Sequence, residues 1–157
     1  MKKLTIEHLA PYLPYGLKFS SIGGKFAYMG VNGCYKDNLS SFGNGNIGRD
    51  ISFQSLIRDF KPILRPLSDL TKEIEYNGTF TPKDELFHIW CEYCNADSMK
   101  SDNQLSFDVA YWIPREPLKI KWWPKWMTDK LFEWHFDIFN LIPDGLAIDI
   151  NTLPTNS

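Results

Sequence analysis

The sequence lacks several features that would assign the chain to a specialised class of protein. Its 157 residues contain no apolar run of about 18 residues, the length that a helix needs to cross a bilayer. Lys2 and Lys3 suit the basic start of a signal peptide, but Glu7 and His8 interrupt the apolar stretch that should follow. Three cysteines are too few for a disulfide framework. We therefore expect a protein that does not enter a membrane and acts in the cytoplasm.

A large excess of charge of either sign is also missing. The 17 Lys and Arg against 19 Asp and Glu leave a net charge of -2, which argues against a uniformly basic nucleic-acid-binding protein. The charge is nevertheless uneven, because residues 1–65 hold nine basic and four acidic side chains, whereas residues 66–114 hold three and nine. Two explanations stay open. Either the acidic residues 66–114 neutralise the basic residues 1–65 within one fold, or the basic residues bind an anionic partner.

Aromatic residues, in contrast, are abundant. They make up 15% of the chain, with six Trp, seven Tyr and eleven Phe, while the hydrophobic share of 43% and the charged share of 23% are ordinary for a folded protein. The length suits one domain with a sizeable core. No repeat, low-complexity tract or linker divides the sequence, so we expect a single domain over residues 1–157.

The first fifty residues predict a short helix followed by strands and turns. Thr5 is a suitable cap for a helix over residues 6–10. The Gly23-Gly24 pair predicts a hairpin turn between two short strands. Seven of the ten glycines lie between positions 23 and 48, so turns, strands and loops are expected there, with residues 36–41 as loop.

The middle of the chain predicts helices. Ser52 caps a helix over residues 53–60, and two prolines then break it into a bent second segment that carries Leu67, Leu70 and Ile74. Asn77-Gly78 predicts a turn. Thr81 followed by Pro82 is a strong helix start, and that helix is expected to continue to about Cys94.

Residues 105–123 contain the clearest alternation of apolar and polar side chains. Two strands, 105–113 and 118–123, flank a loop over residues 114–117, and this register places Ile113 opposite Leu118 on an apolar face. The other face then pairs Trp112 with Lys119. A last helix from Thr128 to Ile142 and a short terminal strand complete the prediction. Strands and helices without a repeating βαβ period indicate an α+β fold, with short antiparallel hairpins packed against several helices.

Basic and aromatic side chains are interleaved along this hairpin and beyond it. The candidate partner-binding residues are Trp112, Arg115, Lys119, Lys121, Trp123, Lys125 and Trp126. Indoles beside basic groups are typical of the centre of a protein interface. The same pattern suits stacked bases and phosphates of single-stranded nucleic acid. A third alternative is that a helix covers Trp112 and Trp123 as part of the core.

Residues 43–48, Gly-Asn-Gly-Asn-Ile-Gly, match the glycine pattern of dinucleotide-binding proteins. That function requires a buried strand before the first glycine and a helix that begins at the last. The residues before Gly43 are loop-like, so we interpret the segment as a glycine-asparagine loop and expect no cofactor.

His88, Cys91 and Cys94 are spaced three residues apart on one predicted helix. With Cys34 they would form a Cys₃His zinc set. Cys91 and Cys94 also have the spacing of a redox pair, but the first cysteine of such pairs begins a helix. A small metal or redox protein is therefore an alternative function, while buried free thiols are the simpler interpretation, with no metal site expected.

No serine or cysteine lies in a recognisable nucleophile context, so we assign no catalytic residue. His135 lies between Glu133 and Asp137, but residues two apart on a helix point away from each other. We interpret His135 as a hydrogen-bonded core histidine within the apolar stripe of the last helix.

Three blocks of the sequence resemble a family of small uncharacterised phage- and prophage-encoded proteins of gut-type bacteria. They read LTIEHLAPYLPYGL over 4–17, FKPILRPLSDLTKEI over 60–74, and WHFDIFNLI with GLAIDIN over 134–142 and 145–151. The glycine-rich stretch and residues 95–126 are not part of the resemblance, so the hairpin inherits no role from it. The resemblance implies a phage accessory protein that acts inside an infected bacterium by binding a host or phage protein.

Overall fold

A computed structural model describes residues 3–21, 29–35, 38–43, 46–93 and 123–153, with the backbone alone for 29–51 and 93. It confirms the α+β class, because helices and a largely antiparallel sheet occupy separate stretches of the chain. Over the described ranges, no helix is both long enough and apolar enough to cross a membrane. Apart from Trp123, the predicted hairpin over 105–123 lies outside the described residues.

The chain divides into two compact units. The first unit comprises residues 1–66 and 129–157, and the second comprises residues 67–128. The single domain expected over 1–157 stays a prediction.

The first unit is built around a six-stranded sheet. Its elements before residue 66 are α1 (Ile6–Leu9), a 3₁₀ turn (Leu13–Tyr15), β1 (Lys18–Ser21), β2 (Met29–Tyr35), β3 (Asn38–Gly43), β4 (Asn46–Ser52), α2 (Phe53–Asp59) and β5 (Phe60–Leu64). The second unit contains a 3₁₀ turn (Leu67–Thr71), β6 (Ile74–Glu75), β7 (Thr79–Phe80) and α3 (Pro82–Tyr93). Helix α4 (Lys125–Glu133), β8 (Ile148–Asp149) and a 3₁₀ turn (Ile150–Thr152) follow.

Local signals correctly predicted the starts of α1 and α2. The backbone N–H of Thr5 donates to His8 Nδ1 at 3.1 Å, so the histidine takes the place of glutamate in a capping box. Ser52 Oγ accepts from the backbone N–H of Ser55 at 3.2 Å and caps α2. Both helices begin where a side chain satisfies a backbone donor that would otherwise be left unpaired.

The strand order in the sheet is β4-β3-β2-β1-β5-β8. All neighbours are antiparallel except β5 and β8, which are parallel and pair Ile63 with Ile148. β1 pairs antiparallel with β2, as the predicted hairpin requires, while its turn at Gly23-Gly24 lies outside the described residues.

Strand β5 occupies residues that the prolines led us to assign to a bent helix. Pro62 lies opposite Phe19 of β1, whereas β8 pairs only with Ile63 and Leu64. Among the described strands, Pro62 therefore has a neighbouring strand on one side only. Proline is tolerated at such an edge position because its missing N–H is not needed for a hydrogen bond between strands. The prediction was wrong because proline ends helices and also occurs at the edges of strands.

The glycine-rich stretch also forms more strand than expected. Residues 38–41, predicted as loop, belong to β3, which pairs with both β2 and β4 in registers interrupted at Val31/Gly33 and Ser41/Gly43. Gly43 ends β3 and Gly48 lies inside β4. The glycine pattern therefore joins two antiparallel strands and does not open a helix, so it lacks the strand-to-helix turn that places a dinucleotide.

The core of the first unit surrounds Tyr12, which has no exposed surface. Its ring meets Phe132 edge-on, with ring centroids 4.9 Å apart, and Phe139 packs against both. The other buried members of this cluster are Leu4, Leu9, Leu17, Phe19, Leu56, Leu64, Leu141 and Ala147. The N-terminal turn, β1, β5 and the C-terminal segment thus contribute to one apolar core.

Helix α4 begins at Lys125, three residues before the predicted start at Thr128, and ends at Glu133, nine residues earlier than predicted. His135 has a left-handed conformation (φ 59°), and the N–H groups of His135 and Phe136 donate to the carbonyl groups of Phe132 and Leu131. This is the Schellman arrangement, in which the left-handed position is usually glycine. Histidine gave no such signal in the sequence, so the predicted helix was extended too far.

A second turn ends at Gly145, which also has a left-handed conformation (φ 70°). The N–H groups of Gly145 and Leu146 donate to the carbonyl groups of Ile142 and Leu141. The Asp137 carboxylate accepts from the N–H groups of Leu141 and Ile142 at 2.8 and 2.7 Å. A buried carboxylate therefore begins this turn, and the predicted glycine stop ends it.

We expect Tyr12→Phe to destabilise the protein by about 1–3 kcal/mol. The phenol donates to Phe136 O at 2.7 Å and accepts from the N–H of Ile138 at 3.2 Å, so its removal leaves two backbone groups without this partner. Urea denaturation would measure the change. Tyr15→Phe is the control, because Tyr15 is half-buried and outside this pair of bonds. Equal stability of the two variants would contradict the role assigned to the Tyr12 hydroxyl.

Candidate partner-binding surface

Helix α3 provides the rigid part of the candidate surface. Its start is as predicted: the carbonyl of Thr81 accepts from the N–H groups of Asp84 and Glu85 at 3.0 and 3.1 Å, and Pro82 is the first helical residue. The two acidic side chains lie in the first turn, where the helix dipole favours negative charge.

The side chains of α3 differ in burial around the helix. Leu86 is fully buried, and with Leu70 and Ile74 it belongs to the apolar interior of the second unit. Phe87 and Trp90 are half-buried, whereas His88 is exposed. The helix is therefore fixed on one side by aliphatic packing and leaves aromatic surface partly accessible on another.

The start of α4 brings a second indole to this helix. The carbonyl of Pro124 accepts from the N–H groups of Met127 and Thr128 at 3.0 and 3.2 Å, which sets the first turn. Trp126, in that turn, stacks on Trp90 with ring centroids 6.2 Å apart and an interplanar angle of 24°. Both indoles stay half-buried. The two rings therefore position each other while each retains accessible surface.

We define the indole surface as Trp90, Trp123, Lys125 and Trp126. Trp123 is half-buried and Lys125 is exposed. The other predicted binding residues, Trp112, Arg115, Lys119 and Lys121, lie outside the described residues. Trp90 was missing from the predicted set, because nothing in the sequence pairs a helical residue with one that lies 36 positions later.

The first turn of α4 places a basic side chain at the positive end of the helix dipole. The first turn contains Lys125 and no acidic side chain. Lysine at the positive end of a helix dipole is disfavoured by about 0.3–1 kcal/mol.

The His88, Cys91 and Cys94 spacing does not assemble a metal centre among the described side chains. His88 is exposed and Cys91 is a half-buried free thiol on α3, while Cys94 and the side chain of Cys34 lie outside the description. No cluster of three or more His, Cys, Asp or Glu able to hold a metal occurs in the part that is described. Cys91 lies nine residues after the start of α3, away from the helix N-terminus that activates redox cysteines.

The titratable residues around position 135 have structural partners. His135 is half-buried with Nε2 3.0 Å from the carbonyl oxygen of Tyr15, which confirms a hydrogen-bonded histidine but outside the helix. Burial raises the pKa of the Tyr12 phenol. Burial also raises the pKa of Asp137, against the lowering effect of its backbone hydrogen bonds. The Asp137 carboxylate accepts hydrogen bonds from the backbone N–H groups of Leu141 and Ile142.

Comparison of the chain with protein-family models, with curated proteins and with solved structures finds no match.

We expect Trp90 and Trp126 to be energetically coupled. In a double-mutant cycle of Trp90→Ala and Trp126→Ala, the interaction between stacked rings should amount to about 0.5–1.5 kcal/mol of unfolding free energy. Denaturant unfolding of the wild type, the two single variants and the double variant measures it. Strictly additive losses would show that the rings do not stabilise each other.

Proposed function

We propose that this protein is a phage-type accessory protein that acts by binding a host or phage protein through the indole surface. The phage context is supported by the resemblance of the three sequence blocks. The binding role is supported chiefly by the stacked and half-buried indoles of Trp90 and Trp126 beside exposed Lys125. The partner that suits this surface is a protein segment with an apolar or aromatic anchor and a neighbouring carboxylate.

Tryptophan is the residue most suited to anchor such an interface. Its large ring removes much apolar area from water, and interface residues whose truncation costs most are enriched in Trp. Stacking of Trp126 on Trp90 restricts both rings before a partner arrives. Less conformational entropy is then lost on binding than for a free, flexible side chain.

Charge selects the kind of protein partner. Lys125 lies at the positive end of α4, and the sequence before it contributes Arg115, Lys119 and Lys121 with Glu116 as the one acid of the stretch 115–125. Complementary charge increases the association rate and excludes basic partners. An acidic segment is therefore the preferred occupant.

We expect Trp126→Ala to weaken partner binding at least about 30-fold, which corresponds to the 2 kcal/mol or more typical of central interface residues. Lys125→Glu should weaken it less, mainly through slower association. In a pull-down from a lysate of infected bacteria, the candidate partners are the proteins that the wild type retains and the variants lose. Titration calorimetry with the purified partner then measures affinity.

The matched control is Ile6→Ala, because Ile6 is an exposed apolar side chain of the first unit, with 37% of its surface accessible. It should leave the affinity unchanged. Equal retention of every captured protein by the wild type, Ile6→Ala and Trp126→Ala would contradict the proposed surface.

Salt separates a protein partner from single-stranded nucleic acid. Binding through several phosphates weakens about 10³-fold or more between 50 and 200 mM salt, whereas an interface anchored by indoles weakens little. A labelled oligothymidine is the probe for the alternative. Tight, steeply salt-dependent binding that Trp126→Ala abolishes would replace the proposal with a nucleic-acid-binding function.

A further inference from the structure

The hairpin of β6 and β7 turns at Asn77-Gly78. The last pair of its short ladder joins Glu75 to Thr79. Asn77 has a left-handed conformation (φ 52°), and Gly78 has a φ of 136°, which residues with a side chain rarely adopt. One backbone bond closes the tip, from the N–H of Tyr76 to the carbonyl of Gly78 at 2.8 Å. That bond uses the carbonyl of Gly78 and not its nitrogen.

The tip of this hairpin is open to water. Asn77 and Gly78 are both exposed. In the part of the chain that is described, a Cβ built on Gly78 would meet no heavy atom within 4 Å apart from its chain neighbours. Strands β6 and β7 contain two residues each and form a two-stranded sheet of their own. A hairpin of this size is marginal, so its tip opens at little cost in free energy.

We propose that Asn77 is a site of spontaneous deamidation in the folded protein. Rotation about the Cα–C bond of Asn77 turns the backbone nitrogen of Gly78 toward the side-chain Cγ. The nitrogen loses its proton to hydroxide and bonds to Cγ, the Cγ–Nδ2 bond breaks, and the amide leaves as ammonia with a proton from water. Water then opens the resulting five-membered succinimide at either of its carbonyl carbons. The products are aspartate and isoaspartate, and glycine favours the first step because no Cβ crowds the attacking nitrogen.

The fold distinguishes this Asn-Gly pair from a second one of the same chemistry. Asn32-Gly33 lies inside β2, which has β1 on one side and β3 on the other. The ladder with β3 pairs Gly33 with Ser40, next to a register shift. Rotation of the backbone at this pair would break the sheet, so we expect Asn32 to be protected while the protein is folded. The third pair, Asn44-Gly45, lies outside the described residues.

The modification changes the charge and the backbone of the hairpin tip. A neutral amide becomes a carboxylate close in sequence to the exposed Glu75, so the chain becomes one charge more negative than its net charge of -2. The isoaspartate product also adds one carbon atom to the backbone at position 77. Because the attacking nitrogen must lose its proton, the reaction should be faster in mildly alkaline than in mildly acidic buffer.

The deciding experiment follows both asparagines in one sample of the full chain. Trypsin places Asn77 in peptide 73–83 and Asn32 in peptide 26–36. During incubation of the folded protein, peptide 73–83 should gain the mass that corresponds to exchange of NH for O, whereas peptide 26–36 should keep its mass. In urea, where both backbones are free to rotate, both peptides should change. Asn77→Asp supplies the reference peptide for the aspartate product, and a second peak of equal mass is the isoaspartate.

Two results would overturn the proposal. In the first, peptide 73–83 keeps its asparagine in the folded protein although it converts in urea, which would show that the hairpin prevents the attack. In the second, peptide 26–36 converts as fast as peptide 73–83 in the folded protein, which would show that the fold does not select the site.

Discussion

The hydroxyl of Tyr12 is the polar contact on which the first unit depends most. It lies in an apolar core and bridges the carbonyl of Phe136 and the N–H of Ile138, more than 120 residues away in sequence. The ring itself packs against Phe132. A single side chain therefore supplies apolar contact and satisfies two backbone groups of a turn that passes through the interior. Such a turn can be buried only when its backbone N–H and C=O groups have hydrogen-bond partners.

The described part of the second unit is organised by aromatic and aliphatic packing. Its indole surface depends on two helices that each contribute one ring, and the aliphatic side chains behind α3, such as Leu86, hold that helix in place. Interface residues whose truncation costs most binding energy are enriched in Trp.

Elements with side-chain signals at their ends could be predicted, and those defined by distant pairing could not. Thr5, Ser52 and Thr81 correctly marked helix starts because capping involves residues only a few positions apart. β5 was missed because its strand character comes from β1, forty residues earlier, and from β8. The early end of α4 was missed because the conformation of His135 is held by Tyr15 and Arg65, both far away in sequence.

The sequence by itself determined the α+β class, the starts of α1, α2 and α3, and the interleaving of indoles with basic residues, since composition and short-range spacing are local properties. Only the tertiary structure decided that Trp90 meets Trp126 and that an imidazole closes the turn onto the N-terminal segment. Such contacts join positions far apart in the chain. Their energy comes from packing and shared hydrogen bonds, which exist only once the chain has folded.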